Sequence, residues 1–191
     1  MFTGSIVAIV TPMQAGVGPD TALDYKALER LIEFHIEQGT RAIVAVGTTG
    51  ESATLTEEEH CAVIEMTVKL VKGRIPVIAG TGSNSTHEAI EFTSHAEKSG
   101  ANAALIVTPY YNKPTQEGLY KHFESISNNT SLPIIIYNIP GRSVVDMSIE
   151  TMLELSKLDN IVGVKDATND LFRPLLTRTQ IKKDFCYLSG E

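Results

Sequence analysis

Seven short apolar, β-branched runs punctuate the chain, at 5–10, 42–46, 75–79, 103–107, 133–137, 160–164 and 184–188. Longer stretches separate them, and in these the apolar residues recur every three or four positions. A run buried on both faces followed by a helix-period segment is the signature of βα units in a parallel sheet. The first intervening segment puts Leu28, Leu31, Ile32 and Ile36 on one face, with Asp20 or Thr21 as its cap and Gly39 as its stop. The second does the same with Val63, Ile64, Thr67, Val68 and Val71. Thr56-x-x-Glu59 forms a capping box, Ser85-x-x-Glu88 repeats the device, and Leu119, Phe123 and Ile126 mark a fourth helical face.

The expected arrangement is seven strands with six helices between them, in one domain over residues 1–191. An open doubly wound sheet fits this alternation. A (β/α)8 TIM barrel fits it better, because polar and Gly-rich clusters follow nearly every strand, where such barrels carry their active sites. A full barrel takes about 250 residues. The expectation is therefore a barrel truncated after about strand seven, with the eighth strand and the C-terminal helices outside 1–191.

Composition narrows the function classes. The formal net charge is −7 and no face or tail is rich in Lys and Arg, which argues against a nucleic-acid partner. No apolar run approaches the roughly 20 residues that span a bilayer. Met1-Phe2-Thr3-Gly4-Ser5 has no basic stretch of a secretory signal. Cys61 and Cys186 lack CxxC spacing and read as small core residues of a reducing compartment, so the expected location is the cytoplasm. The five histidines (35, 60, 87, 95 and 122) show no ligand spacing, so no metal site is expected.

The chemistry-bearing residues sit at the ends of the apolar runs. Lys165 closes Asn160-Ile161-Val162-Gly163-Val164. Burial there would lower its pKa and make it a Schiff-base nucleophile; a snorkelling or ion-paired strand-end lysine fits as well. Gly47-Thr48-Thr49-Gly50-Glu51 suits a small carboxylate, held by backbone N–H groups and hydroxyls, or a plain polar turn. Tyr111, in Thr108-Pro109-Tyr110-Tyr111-Asn112, and Tyr137, ahead of Asn138-Ile139-Pro140-Gly141-Arg142, are either proton relays or amphipathic core residues. Arg142 offers a planar fork for a second carboxylate.

The motifs at 47–51, 108–112 and 137–142, with Gly163-Val164-Lys165-Asp166-Ala167-Thr168, resemble the dihydrodipicolinate synthases of the N-acetylneuraminate lyase superfamily, class I aldolase-like barrels, from Phe2 to Gly190. The resemblance implies that Lys165 condenses with pyruvate and that Tyr137 relays protons with Thr48 and Tyr111, the last across a tight dimer interface. It implies that Thr49 and a backbone contact at Gly190 hold pyruvate and that Arg142 holds aspartate semialdehyde. No cofactor is implied, since the imine on Lys165 serves instead. The implied assembly is a homotetramer, a dimer of dimers. A lysine feedback site is implied at Ser52, Ala53, His60, Asn84, Glu88 and Tyr110, with Glu88 meeting the effector's ammonium. Glu57 stands where some lysine-sensitive members have histidine, and Asp166 where glutamate is frequent. The Thr48-Thr49 pair and Arg142 favour the synthase over sialic acid or keto-deoxy-sugar-acid lyases; an inactive fragment is the remaining alternative.

Overall fold

In the computed structural model, which describes residues 2–16, 18 and 21–190, each of the seven apolar runs forms a strand. They are β1 (Ile6–Ala8), β2 (Ala42–Ala45), β3 (Val77–Gly80), β4 (Ala103–Val107), β5 (Ile134–Asn138), β6 (Ile161–Asp166) and β7 (Cys186–Ser189). All six neighbouring pairs are parallel and run in chain order, giving one sheet. Helices α1 (Tyr25–Glu37), α2 (Glu57–Val71), α3 (Thr86–Lys98) and α4 (Gln116–Ser127) fill the first four long connections. The β5–β6 connection holds two helices, α5 (Pro140–Ser143) and α6 (Ile149–Leu155), and α7 (Phe172–Gln180) precedes β7. The expected six helices are thus seven among the described residues. Pro140 presets the first turn of α5, and Val144, at φ 67°, stops it after that turn.

Caps follow the local chemistry, with two departures from expectation. Asp24, not Thr21, caps α1, its side chain accepting from Ala27 N at 2.9 Å. Thr21 instead donates its hydroxyl to the Gly18 carbonyl at 2.7 Å, closing the turn before the helix. Asp20 lies outside the described residues. Gly39, at φ 78°, follows the end of α1 as expected. The box Thr56/Glu59 makes both of its bonds. At Ser85 only the first half forms: the Glu88 carboxylate accepts from the Ser83 hydroxyl at 2.6 Å, and Ser83 Oγ also takes the Ser85 N–H.

Alternation along the strands divides the apolar residues into two clusters. Ile43, Ala79, Ile106, Ile134, Ile136 and Val164 face the helix layer and meet Leu28, Ile32, Ile64, Phe123 and Leu155. Full burial of a Leu, Ile or Phe side chain stabilises by about 1.5–3 kcal/mol, so this outer layer dominates. Val44, Ile78, Leu105, Ile135 and Tyr137 face the other way, into the hollow around which the sheet curls. Among the described residues β1 and β7 do not pair, and a cavity of about 700 Å³ lies between them. Cys186 Sγ, from β7, donates to the Phe2 carbonyl at 3.0 Å.

Two imidazoles are buried in the helix layer. His60 Nε2–H donates to the Gly80 carbonyl at 2.9 Å, and its ring stacks on Phe92 with 4.2 Å between centroids. His122 Nδ1 pairs with Thr86 Oγ1 at 2.9 Å. Burial lowers each pKa from 6.5 to about 4. Below pH 6.5 the unfolded chain therefore binds protons that the fold refuses, and stability present above that pH is lost as it falls towards 4. Urea unfolding should show a decline of about 1.4 kcal/mol per pH unit for each histidine across that window. The variant His122→Asn, though less stable at neutral pH, should show a visibly smaller slope. An unchanged slope would refute the assignment.

Candidate active site

Lys165 is aimed by an irregularity in β6. Ile134 of β5 pairs with Ile161, but Ile135 pairs with Gly163, so Val162 is inserted as a bulge. Val162 lies with the inner cluster, whereas Ile161 and Val164 belong to the outer one. With the extra residue, Lys165 pairs with Tyr137 and shares its inward face. Without it Lys165 would pair with Asn138, whose side chain is bonded on the helix side to Asp146 and Met147. Gly163 makes the bulge possible, since a Cβ there would stand 2.7 Å from both Cβ and O of Cys186 in β7.

The strand runs on to Asp166, past the expected end at 164, which brings Lys165 into the ladder opposite Leu188 as well. Its Nζ lies 4.2 Å from the centre of the Tyr137 ring. Burial lowers its pKa below that of an ordinary lysine. Gly190 closes the far side: its N–H donates to the Asp166 carbonyl at 2.8 Å, and a Cβ on it would come within 3.2 Å of Lys165 Cε.

The two threonines arrive on a strained turn. Val46, fully buried at the end of β2, has φ 48°, a region that β-branched residues avoid. The conformation fits because a Cβ on Gly80, in the neighbouring strand, would collide with the Val46 carbonyl. The chain then folds into a 3-10 turn, Thr48–Gly50, which Thr11 anchors by donating its hydroxyl to the Gly50 carbonyl at 2.7 Å.

These elements enclose a cavity of about 370 Å³ lined by Thr48, Thr49, Tyr137, Arg142, Lys165 and Gly190, with apolar walls from Ala8, Leu105, Ile139 and Ala167. That volume suits a small molecule. Among the described residues no carboxylate lines it, while one guanidinium, one amine and several hydroxyls do, so it favours an anionic ligand beside a nucleophilic nitrogen. Arg142 is exposed and, among the described residues, forms no salt bridge.

Tyr111 is not brought to this cavity; it is 88% exposed, at φ 71°. A second cavity, of about 390 Å³, shares Thr48 and Arg142 with the first and adds Ser52, Ala53 and Tyr110. Asn84 and Glu88 do not line it: the Asn84 carbonyl accepts from Asn112 Nδ2, and Glu88 is engaged with Ser83. His60 does not open onto it, because stacking on Phe92 and the bond to Gly80 hold its ring in the core. The motifs also miss the bulge at Val162, whose trace in the sequence is a glycine in the middle of the sixth apolar run, Gly163. They miss Arg173 as well, which belongs to no motif.

The chain was compared with known proteins. A family model described as "Dihydrodipicolinate synthetase family" matches residues 1–191. The 4-hydroxy-tetrahydrodipicolinate synthase of Rhodospirillum centenum is 61% identical over 191 residues, all of this chain and 64% of the relative. A chloride-inhibited dihydrodipicolinate synthase from Acinetobacter baumannii, complexed with pyruvate, matches at 55% identity and TM-score 0.93 over 98% of this chain and 63% of that one. The enzyme from Cyanidioschyzon merolae, with lysine bound, matches at 41% identity and TM-score 0.92 over 98% and 63%. The chain thus spans less than two thirds of these relatives' length.

Placing a methyl group at Gly80 tests the threonine turn. Gly80→Ala should cost about 1–3 kcal/mol or more, read as a lower urea midpoint, because backbone rather than a side-chain tip must yield. A midpoint equal to that of the unmodified chain would show that Val46 does not depend on that space.

Proposed function

This chain belongs to the dihydrodipicolinate synthetase family, and from that premise we propose that its cavity serves a pyruvate-dependent Schiff-base lyase. The reaction is condensation of pyruvate with aspartate semialdehyde to 4-hydroxy-tetrahydrodipicolinate, a step of lysine (diaminopimelate) biosynthesis. The observation that carries this reading is a half-buried Lys165, of lowered pKa, held over the Tyr137 ring in a cavity that no carboxylate of the described residues lines.

Neutral Lys165 attacks the ketone carbon of pyruvate, and the carbinolamine loses water to give an imine. Loss of a methyl proton gives the enamine, whose carbon adds to the aldehyde of the second substrate. The amine of that substrate then displaces Lys165 from the imine carbon and closes the ring. Tyr137, Thr48 and Tyr111 carry the protons; Thr49 holds the pyruvate carboxylate, with the Gly190 backbone in contact beside it, and Arg142 holds that of aspartate semialdehyde. No cofactor is required, because the protonated imine accepts the electron pair.

We infer further that the enzyme is one barrel domain working in the cytoplasm as a homotetramer, a dimer of dimers, with no nucleic-acid or membrane partner. An exposed tyrosine held at positive φ, Tyr111, supports its service in a neighbouring subunit's site. No described helix is long and apolar enough to cross a membrane. Lysine, as feedback inhibitor, would take the cavity of Ser52, Ala53 and Tyr110, with Asn84 and Glu88 as its further contacts once bound.

Borohydride reduction in the presence of pyruvate should fix the ligand carbons on the peptide containing Lys165, and Lys165→Arg should abolish the label. Tyr137→Phe should slow trapping by about 10²-fold or more, the usual worth of a proton-transfer group. Label on another lysine, or none, would defeat the mechanism.

A further inference from the structure

Behind the cavity, on the helix side of the same two strands, lies an ionic bracket. Asn138 and Asp166 directly follow Tyr137 and Lys165 and pair with each other across β5 and β6. Alternation turns them outward when their predecessors turn inward. Asn138 is fully buried; its Nδ2 donates to Asp146 Oδ1 at 2.8 Å, and its Oδ1 accepts the Met147 N–H at 3.1 Å. Asp166 Oδ1 accepts from Thr168 N at 3.0 Å and Thr168 Oγ1 at 2.6 Å. Arg173 joins the two halves. Its Nη1 donates to Asp146 Oδ2 at 3.0 Å, its Nε stands 3.5 Å from Asp166 Oδ2, and its Nη2 donates to the Met147 carbonyl.

Arg173 is costly where it stands. It occupies the first turn of α7, where the helix dipole disfavours a cation, and its side chain is only 12% exposed. Two carboxylates and a carbonyl offset that cost, and the planar fork of arginine is what allows one group to reach all three. A local rule broken and then compensated by distant groups marks a position chosen for something other than helix stability.

We propose that Arg173, acting with Asp146, is a positioning residue: by tying Asn138 to Asp166 it locks together the strand ends that present Tyr137 and Lys165. Neither Arg173 nor Asp146 lines the catalytic cavity, so both act through the bracket. The proposal rests on the reading that Lys165 forms an imine with pyruvate. Loosening the bracket leaves Thr49 in place to bind the carboxylate while the amine loses its aim. An error of about 1 Å in such an approach costs on the order of 10²-fold in rate.

The test is stopped-flow borohydride trapping with pyruvate on the full chain, comparing Arg173→Met, Asp146→Asn, the double variant and Arg74→Met. The last breaks the Arg74–Glu33 ion pair, at 2.5 Å, away from the cavity and controls for general loss of stability. The trapping constant at saturating pyruvate should fall about 10–100-fold in each bracket variant. The half-saturation concentration should change by less than about threefold, and the double variant should be no worse than the weaker single one, since both act as a unit. Arg74→Met should trap at the normal rate. Saturating constants within threefold of the unmodified chain in folded variants would overturn the proposal, as would strictly additive effects. If Arg173→Met does not fold, Asp146→Asn carries the comparison. If the unmodified chain traps no pyruvate, the functional reading fails by itself. The bracket is then tested by the rate at which a small acylating reagent modifies Lys165, which should change at least threefold in Asp146→Asn, and equal rates would overturn it.

Discussion

A parallel ladder gives every residue one of two surroundings, and this sheet makes those surroundings very different. One face is sealed by helices and packed with isoleucine, valine and leucine; the other looks into a narrow hollow. With strands about 4.8 Å apart, a shift of one residue moves a side chain from one to the other. The position of Lys165 depends on that rule and on one exception to it, the bulge at Val162. Lack of space inside the curl then selects glycine at 80, 163 and 190, where a methyl group would meet backbone or the lysine itself.

Two forces act on the lysine amine in opposite senses. The Tyr137 ring beneath Nζ favours the charged form, by about 0.5–2 kcal/mol for contacts of this kind. Burial favours the neutral form and lowers the pKa. Among the described residues, the same hollow contributes no carboxylate that would restore the charge. A nucleophilic amine and an anion-friendly wall thus come from one circumstance, a polar pocket at the mouth of an apolar curl.

The strands and helices were legible because burial on two faces and helical periodicity are local patterns. Every expected strand appeared, with ends shifted by no more than about two residues. Caps were less legible. Thr21 and Asp24 are both good caps, and only the path of the chain decides which faces the free N–H groups of α1. The site motifs at 47–51, 137–142 and 165 were legible as polar residues terminating apolar runs. Their meeting at one rim followed from the barrel reading, but the turn that delivers Thr48 did not, since it depends on the fit between Val46 and Gly80, which are far apart in sequence. His60 shows the opposite failure: a histidine near a polar cluster in sequence is turned into the core by Phe92 and Gly80.

By itself the sequence determined the order and type of the elements and the inventory of reactive groups, because helix and strand periods and chemical functionality are properties of short segments. Only the tertiary structure decided which way Lys165 points, which hydroxyls share its cavity, and that Arg173 stands behind it. Those outcomes follow from pairing register and from contacts between residues far apart in the chain, which no local pattern encodes. Whether a lysine is a surface cation or a buried amine is set by its neighbours across the strands, and the neighbours are chosen by the fold.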